Sequence, residues 1–179
     1  MSRLALACGV AGPAAFVAAW AVGGLATAGY SPVGQAISQL AREGAATAPL
    51  MTAGFVAFGL LVPVYARELP RGARAAATVS GLATLAVAAL PLSRAGMQPV
   101  DTWHAVAAGT GYAAQALAPL LAARALPARR ASYAVSALAG VCLAASVTFP
   151  QLTGLLQRTG LTAVDAWYAA VALHLLRRR

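Results

Sequence analysis

Residues 75–92 read AAATVSGLATLAVAALPL, eighteen consecutive positions without an ionisable side chain. A hydrocarbon core about 30 Å thick takes about 20 mostly apolar helical residues to cross. Closed β-barrels are the other spanning structure, but their strands alternate apolar and polar positions. This stretch is continuously apolar and rich in alanine, the strongest helix former, so it reads as a transmembrane helix. Working outward, mostly apolar stretches of similar length cover residues 4–28, 48–66, 102–123, 131–149 and 161–176, and none holds an Arg, Lys, Asp or Glu except the last, which holds Asp165.

The whole composition agrees. Of 179 residues, 60% are hydrophobic and 9% charged, and the mean hydropathy is +0.73. Soluble domains average about 45–50% apolar and about 25% charged, so a chain this poor in charge cannot coat itself for water. Disorder is excluded by the same numbers, since it needs low hydrophobicity and high charge. The expected fold is all-α: one integral membrane domain over residues 1–179, a six-helix bundle with short cytoplasmic loops and a longer first outer connection. Gly54 and Gly59, and Gly109 and Gly111, would let helices approach closely, giving a tight bundle without a wide pore.

The net charge is +9, and all thirteen basic residues are arginine. With six spans, ten of them fall on one side: Arg3, Arg67, Arg71, Arg74, Arg124, Arg129, Arg130, Arg177, Arg178 and Arg179. Only Arg42, Arg94 and Arg158 fall on the other. The positive-inside rule puts both termini in the cytoplasm, and a multi-pass protein of the cell (plasma) membrane is expected. Nucleic acid is not an expected partner, because the charges are split among short segments at one membrane face. Arg3 and the Ala26-Thr27-Ala28 triplet resemble a secretory signal, but the run is about 25 residues long and contains Pro13 and Trp20, so it is read as a retained span.

The outer connections are chemically mixed. Tyr30-Ser31-Pro32 opens the longest as a turn, and Val33, Ile37 and Leu40 stand at helical spacing. They predict a short amphipathic helix over 33–41, lying at the interface or folded back over the bundle mouth, with Gln35, Ser38, Gln39 and Arg42 elsewhere around it. Asp101 is placed as the N-cap of the fourth span. His104 follows three residues later beside Trp103, where the carboxylate would orient the imidazole for acid/base work. The plainer reading is a cap and an interfacial histidine. Gln157 and Arg158 precede the sixth span, which holds Asp165 and Trp167. Asp165 is read as one turn deep, paired with Arg158 or with His104, Arg94 or Arg42. Cys8 and Cys142 lie inside spans and give no pairing. No cofactor is expected: His104 alone is a poor metal site, and His104 and His174 near opposite faces cannot bracket a haem.

Taken in order, Tyr30-Ser31-Pro32, Ile37-Ser38-Gln39-Leu40, Met51-Thr52-Ala53-Gly54-Phe55 running to Gly59, Asp101 with His104, Gly154-Leu155-Leu156-Gln157-Arg158 and Trp167 resemble the DUF998 family of integral membrane proteins. That family is distantly similar to the Frag1/DRAM/Sfk1 membrane proteins, some of which are linked to lipid organisation. The resemblance implies a six-span bundle and no established reaction. Ser38, Asp101, His104, Arg158 and Trp167 match the family's polar signature.

Three functions stand open at this level. One is a binder of membrane lipid or another hydrophobic small molecule, in an outer pocket rimmed by Tyr30, Ser38, Gln39, Arg42, Glu43, Trp103, Gln157, Arg158, Asp165 and Trp167. Another is an intramembrane enzyme acting on a lipid or isoprenoid through Asp101 and His104. The last is a transporter, or an accessory subunit in a homo-oligomer or larger membrane complex. Transport is disfavoured here because no charge is read at the centre of a span. The orientation is directly testable. A fluorescent protein fused after Arg179 is expected to fluoresce and alkaline phosphatase fused there to stay inactive; the reverse pattern overturns it.

Overall fold

The computed structural model describes residues 2–126 and 128–178; Arg179, counted above among the arginines, lies outside them. Six helices carry the spans: α1 (Arg3–Ala26), α2 (Ala48–Ala66), α3 (Arg71–Ala89), α4 (Pro99–Ala122), α5 (Arg129–Thr148) and α6 (Thr153–Arg177). Each is long and apolar enough to cross a membrane, and the described residues contain no strand. Leu25, Leu60, Leu82, Val141 and Val147 are more than half exposed, as a lipid-facing surface requires.

The limits of α1 to α5 fall within four residues of the sequence reading. α6 departs from it, beginning at Thr153 rather than near 161. Gln157 and Arg158 break the apolar window, yet the helix carries both: Gln157 Oε1 and the terminal nitrogens of Arg158 bond to groups of the protein. The second departure is the short helix of 33–41. It is a five-residue 3-10 helix, Ile37–Ala41, with Ile37, Leu40 and Ala41 buried. It folds back over the bundle mouth, so its apolar side meets protein.

Short connections force sequence neighbours together. The helices pack in chain order into a ring, α1 on α2 through to α5 on α6, with α6 closing on α1 and α4 touching α6 across the middle. Small residues set the spacing. α2 and α3 approach through Gly59 and Gly81, where a Cβ on Gly81 would stand 2.6 Å from the Pro63 ring. Gly111 likewise faces Ala83, but Gly109 looks outward with nothing near it, which corrects its reading as a contact residue.

Towards the arginine-rich face the ring is filled: Leu6, Val62, Tyr65, Ala118, Val164 and Tyr168 are fully buried. The Tyr65 and Tyr168 rings meet edge-on, with centroids 5.8 Å apart. Towards the opposite face Phe16 packs on Phe55 and Phe58 at 5.9 and 5.6 Å, and the axis beyond them is hollow. Gly81→Ala should cost about 1–3 kcal/mol by overpacking the rigid Pro63 ring, whereas Gly109→Ala should be neutral or stabilising. Thermal unfolding in detergent compares the two; equal midpoints would show that the α2–α3 approach is not set by Gly81.

Candidate functional site

The hollow is a cavity of about 80 Å³ inside the ring. One wall is a single stripe of α4: His104, Ala107, Ala108, Gly111, Tyr112 and Gln115. These positions fall three or four apart, so they share one helix face. From His104 to Gln115 the stripe runs about 16 Å at 1.5 Å per residue. Phe16 of α1, Phe55 and Phe58 of α2, Thr84 and Val87 of α3, and Gln157 and Leu161 of α6 complete the walls, and Ile37 and Ser38 roof it. The cavity is therefore a slot, apolar along its length with polar groups at both ends.

The roof is held by Arg158. Its Nη1 donates to the carbonyls of Pro32, Gln35 and Gly154 at 2.9, 3.1 and 3.0 Å, and its Nη2 donates to the Tyr30 hydroxyl. The guanidinium also lies over the Trp20 and Tyr30 rings, 5.2 and 5.4 Å from their centroids, in cation–π geometry. Gln157 adds a tie, its Oε1 accepting from the Ile37 amide at 3.1 Å. The Leu155 amide donates to the Val33 carbonyl at 2.9 Å. On the far side of the roof the Glu43 amide donates to the Leu92 carbonyl, also at 2.9 Å.

Asp101 and His104 do not pair. The Asp101 carboxylate accepts from the Ser93 amide and hydroxyl, both at 2.7 Å, and from the Gln98 amide at 2.8 Å. Gln98, not Asp101, is the N-cap; Asp101 is the third helical residue of a capping box. Its acceptor capacity goes to folding the connection between α3 and α4. His104 is 4% exposed, and its Nδ1 lies 2.6 Å from the carbonyl of Leu90, the C-cap residue of α3. A carbonyl only accepts, so Nδ1 carries the hydrogen. Nε2, buried and without a partner, is the ring's remaining polar atom, and in the neutral ring it is an acceptor.

Asp165 is also displaced from its expected place. Because α6 starts at Thr153 and ends at Arg177, Asp165 is its middle residue, about 18 Å from either end. A carboxyl at mid-bundle removes the argument against transport from the lack of a central charge. Its partner is not Arg158 but Gln115, whose Nε2 donates to Oδ1 at 2.9 Å. Trp167 is deeper still, its Nε1 donating to Ser132 at 3.0 Å in the first turn of α5, near the arginine-rich face. Asp101, His104, Arg158 and Asp165 thus each have partners of their own and do not bond to one another.

The remaining rim residues scatter. Tyr30, Gln39 and Arg42 line a shallower surface groove with Thr27 and Thr47. Glu43 is exposed, and Trp103 is 64% exposed near the start of α4, where an aromatic belt residue sits. Only Ser38, His104 and Gln157 of the predicted residues reach the slot. The sequence reading missed Thr84, Tyr112 and Gln115, although Gln115 stands eleven residues after His104 on one face, a periodic signal inside an apolar span. Among the described residues no group of three or more His, Cys, Asp or Glu could hold a metal.

Six membrane-length helices closed around a half-hollow axis define a polytopic integral membrane protein. The chain belongs to the family described as Protein of unknown function (DUF998), which matches residues 10–174. No curated protein and no solved structure matches it.

Arg158→Ala is expected to lower stability by about 2 kcal/mol, a charged hydrogen-bond donor being lost from buried carbonyls. Amide exchange should quicken at residues 31–36 and stay unchanged in α2 and α3. Arg158→Lys should recover only part, because an ammonium lacks the planar fork. Unchanged exchange at 31–36 in Arg158→Ala would refute the clamp.

Proposed function

We propose that the chain binds a single-chain amphiphile in the axial slot, its hydroxyl head under the roof beside His104 and its hydrocarbon along the α4 stripe, with the arginine-rich face towards the cytoplasm. The observation that carries this is the His104 Nε2 atom, buried and unpartnered in a residue that lines one end of the slot. Nδ1 is committed to Leu90, so Nε2 calls for a hydrogen-bond donor from a ligand.

Size and charge narrow the class. Sites for drug-sized ligands span about 300–1,000 Å³, so about 80 Å³ suits a slim chain and not a double-chain lipid. The described lining residues include no arginine, aspartate or glutamate, which disfavours a phosphate or carboxylate head inside the slot. An uncharged long-chain or isoprenoid alcohol fits both limits. The geometry gives less support to acid/base chemistry, since the carboxylate that was to serve His104 is occupied in the connection between α3 and α4.

The test compares oleyl alcohol with its methyl ether, by native mass spectrometry or displacement in detergent. The alcohol should bind about tenfold more tightly, the worth of one hydrogen bond of about 1–1.5 kcal/mol. His104→Phe should abolish that preference while keeping the fold. Ala108→Trp should block both probes. Equal binding of alcohol and ether by the native chain would refute the head-group assignment, and no binding of either would refute the slot.

A further inference from the structure

Below the slot the polar chemistry continues into the middle of the bundle. Gln115 forms the slot's inner end and reaches past it: Nε2 donates to Asp165 Oδ1 at 2.9 Å and to the Leu161 carbonyl at 3.4 Å, and Oε1 accepts from Ser80 Oγ at 3.4 Å. Asp165 is 2% exposed, Gln115 3% and Ser80 fully buried. Asp165 Oδ2 has no partner, and neither do the buried hydroxyls of Tyr168, one turn on, and Tyr65, whose ring meets that of Tyr168.

We propose that Asp165 is a proton-binding site at the centre of the membrane domain, coupled through the Gln115 amide to occupation of the slot. The step is a simple exchange. A proton from water forms an O–H bond on the Asp165 carboxyl and leaves by the reverse, with no change of oxidation state. The surroundings can answer both forms. As a carboxylate, Asp165 accepts from Gln115 Nε2; as an acid, it has an O–H to give, to the Gln115 carbonyl oxygen or a tyrosine hydroxyl. Turning the amide exchanges its oxygen and nitrogen, and Ser80, both donor and acceptor, serves either orientation. The 3.4 Å bonds are long and easily given up. The turned amide presents a different atom to the slot, which is how the proton and the ligand would sense each other.

The groups around Asp165 leave it without a counter-ion. α4 presents Gln115 and, one turn away, Tyr112, whose hydroxyl donates to the Leu156 carbonyl at 3.2 Å. α1 has one charged residue, Arg3 in its first turn, and Cys8; α5 has Arg129 and Arg130 in its first turn, with Tyr133 and Cys142. The 3-10 helices Ile37–Ala41 and Pro150–Leu152 contain no titratable residue. On α6 itself Tyr168 adjoins Asp165, Arg158 is committed to the roof, and His174 lies nine residues on, near the helix end. A mid-membrane carboxyl with no basic partner is a proton site by the ordinary logic of intramembrane acids.

The chain has only two aspartates, Asp101 and Asp165, so nuclear magnetic resonance of the protein labelled with ¹³Cγ-aspartate in detergent shows two carboxyl signals. Asp165→Asn assigns one by its loss, and Asp101→Asn assigns the other should the first variant fail to fold. The Asp165 signal is expected to move between two limits as the pH is taken through the range in which the fold persists. Saturating oleyl alcohol should displace that titration, and its affinity should vary with pH by on the order of fivefold or more, a dependence absent in Asp165→Asn. A signal fixed across the range overturns the proton site. A titration that oleyl alcohol leaves unmoved overturns the coupling. The coupling rests on the slot reading, whereas the proton site does not: absence of probe binding refutes the first, and the titration still decides the second.

Discussion

A guanidinium inside a membrane protein must find all its partners in the protein, because the hydrocarbon supplies none. Arg158 meets most of this need without a carboxylate: both terminal nitrogens are bonded and Nε alone of the three is unpartnered. It is 8% exposed, sandwiched by two aromatic rings and bonded to three carbonyls and a hydroxyl from two distant parts of the chain. Two of those carbonyls belong to Pro32 and Gln35, in the irregular backbone ahead of the 3-10 helix. Irregular backbone survives at this depth only when its polar groups are satisfied by protein. One residue thus solves two problems, its own desolvation and that of the loop, and the solution places Ile37 and Ser38 over the axis. Much of the roof geometry depends on it.

The hollow beneath has a packing origin. Small residues let α2 and α3 close up at Gly59 and Gly81 and let α1 close on α2 at Gly12 and Gly54. Towards the arginine-rich face the space left over is taken by Tyr65, Tyr168 and Trp167. Towards the other face α4 supplies Ala107, Ala108 and Gly111, which are too short to reach the axis, and the phenylalanines of α1 and α2 line the space without filling it. Where α4 presents alanines and a glycine opposite the phenylalanines, the axis stays open. The slot is a consequence of where the large side chains run out.

The fold was legible in the sequence because hydrocarbon imposes one strong rule, and charge-free windows of membrane length report it. The rule failed at α6, where a buried arginine looks in sequence like a helix boundary. That error carried others with it. Starting α6 eight residues late put Asp165 near the membrane surface and Trp167 on the outer rim, when both lie near the middle of α6 and the Trp167 side chain reaches Ser132 in the first turn of α5. The Asp101–His104 pair failed for a different reason. Spacing of three residues on a helix permits a contact but does not say which partner wins, and here Ser93, Gln98 and the Leu90 carbonyl were better placed. Contacts across sixty or more residues, such as Tyr30 with Arg158, leave no mark in local spacing.

The two ends of the axis differ in chemistry as well as in packing. Near the roof the slot meets His104, Ser38 and Gln157, groups that exchange hydrogen bonds without carrying fixed charge. At its inner end Gln115 separates it from Asp165, and beyond that the tyrosines close the way. The hollow therefore ends at an amide. A side chain that can turn in place, touching the slot on one side and a carboxyl on the other, can pass a signal between the two without opening a path.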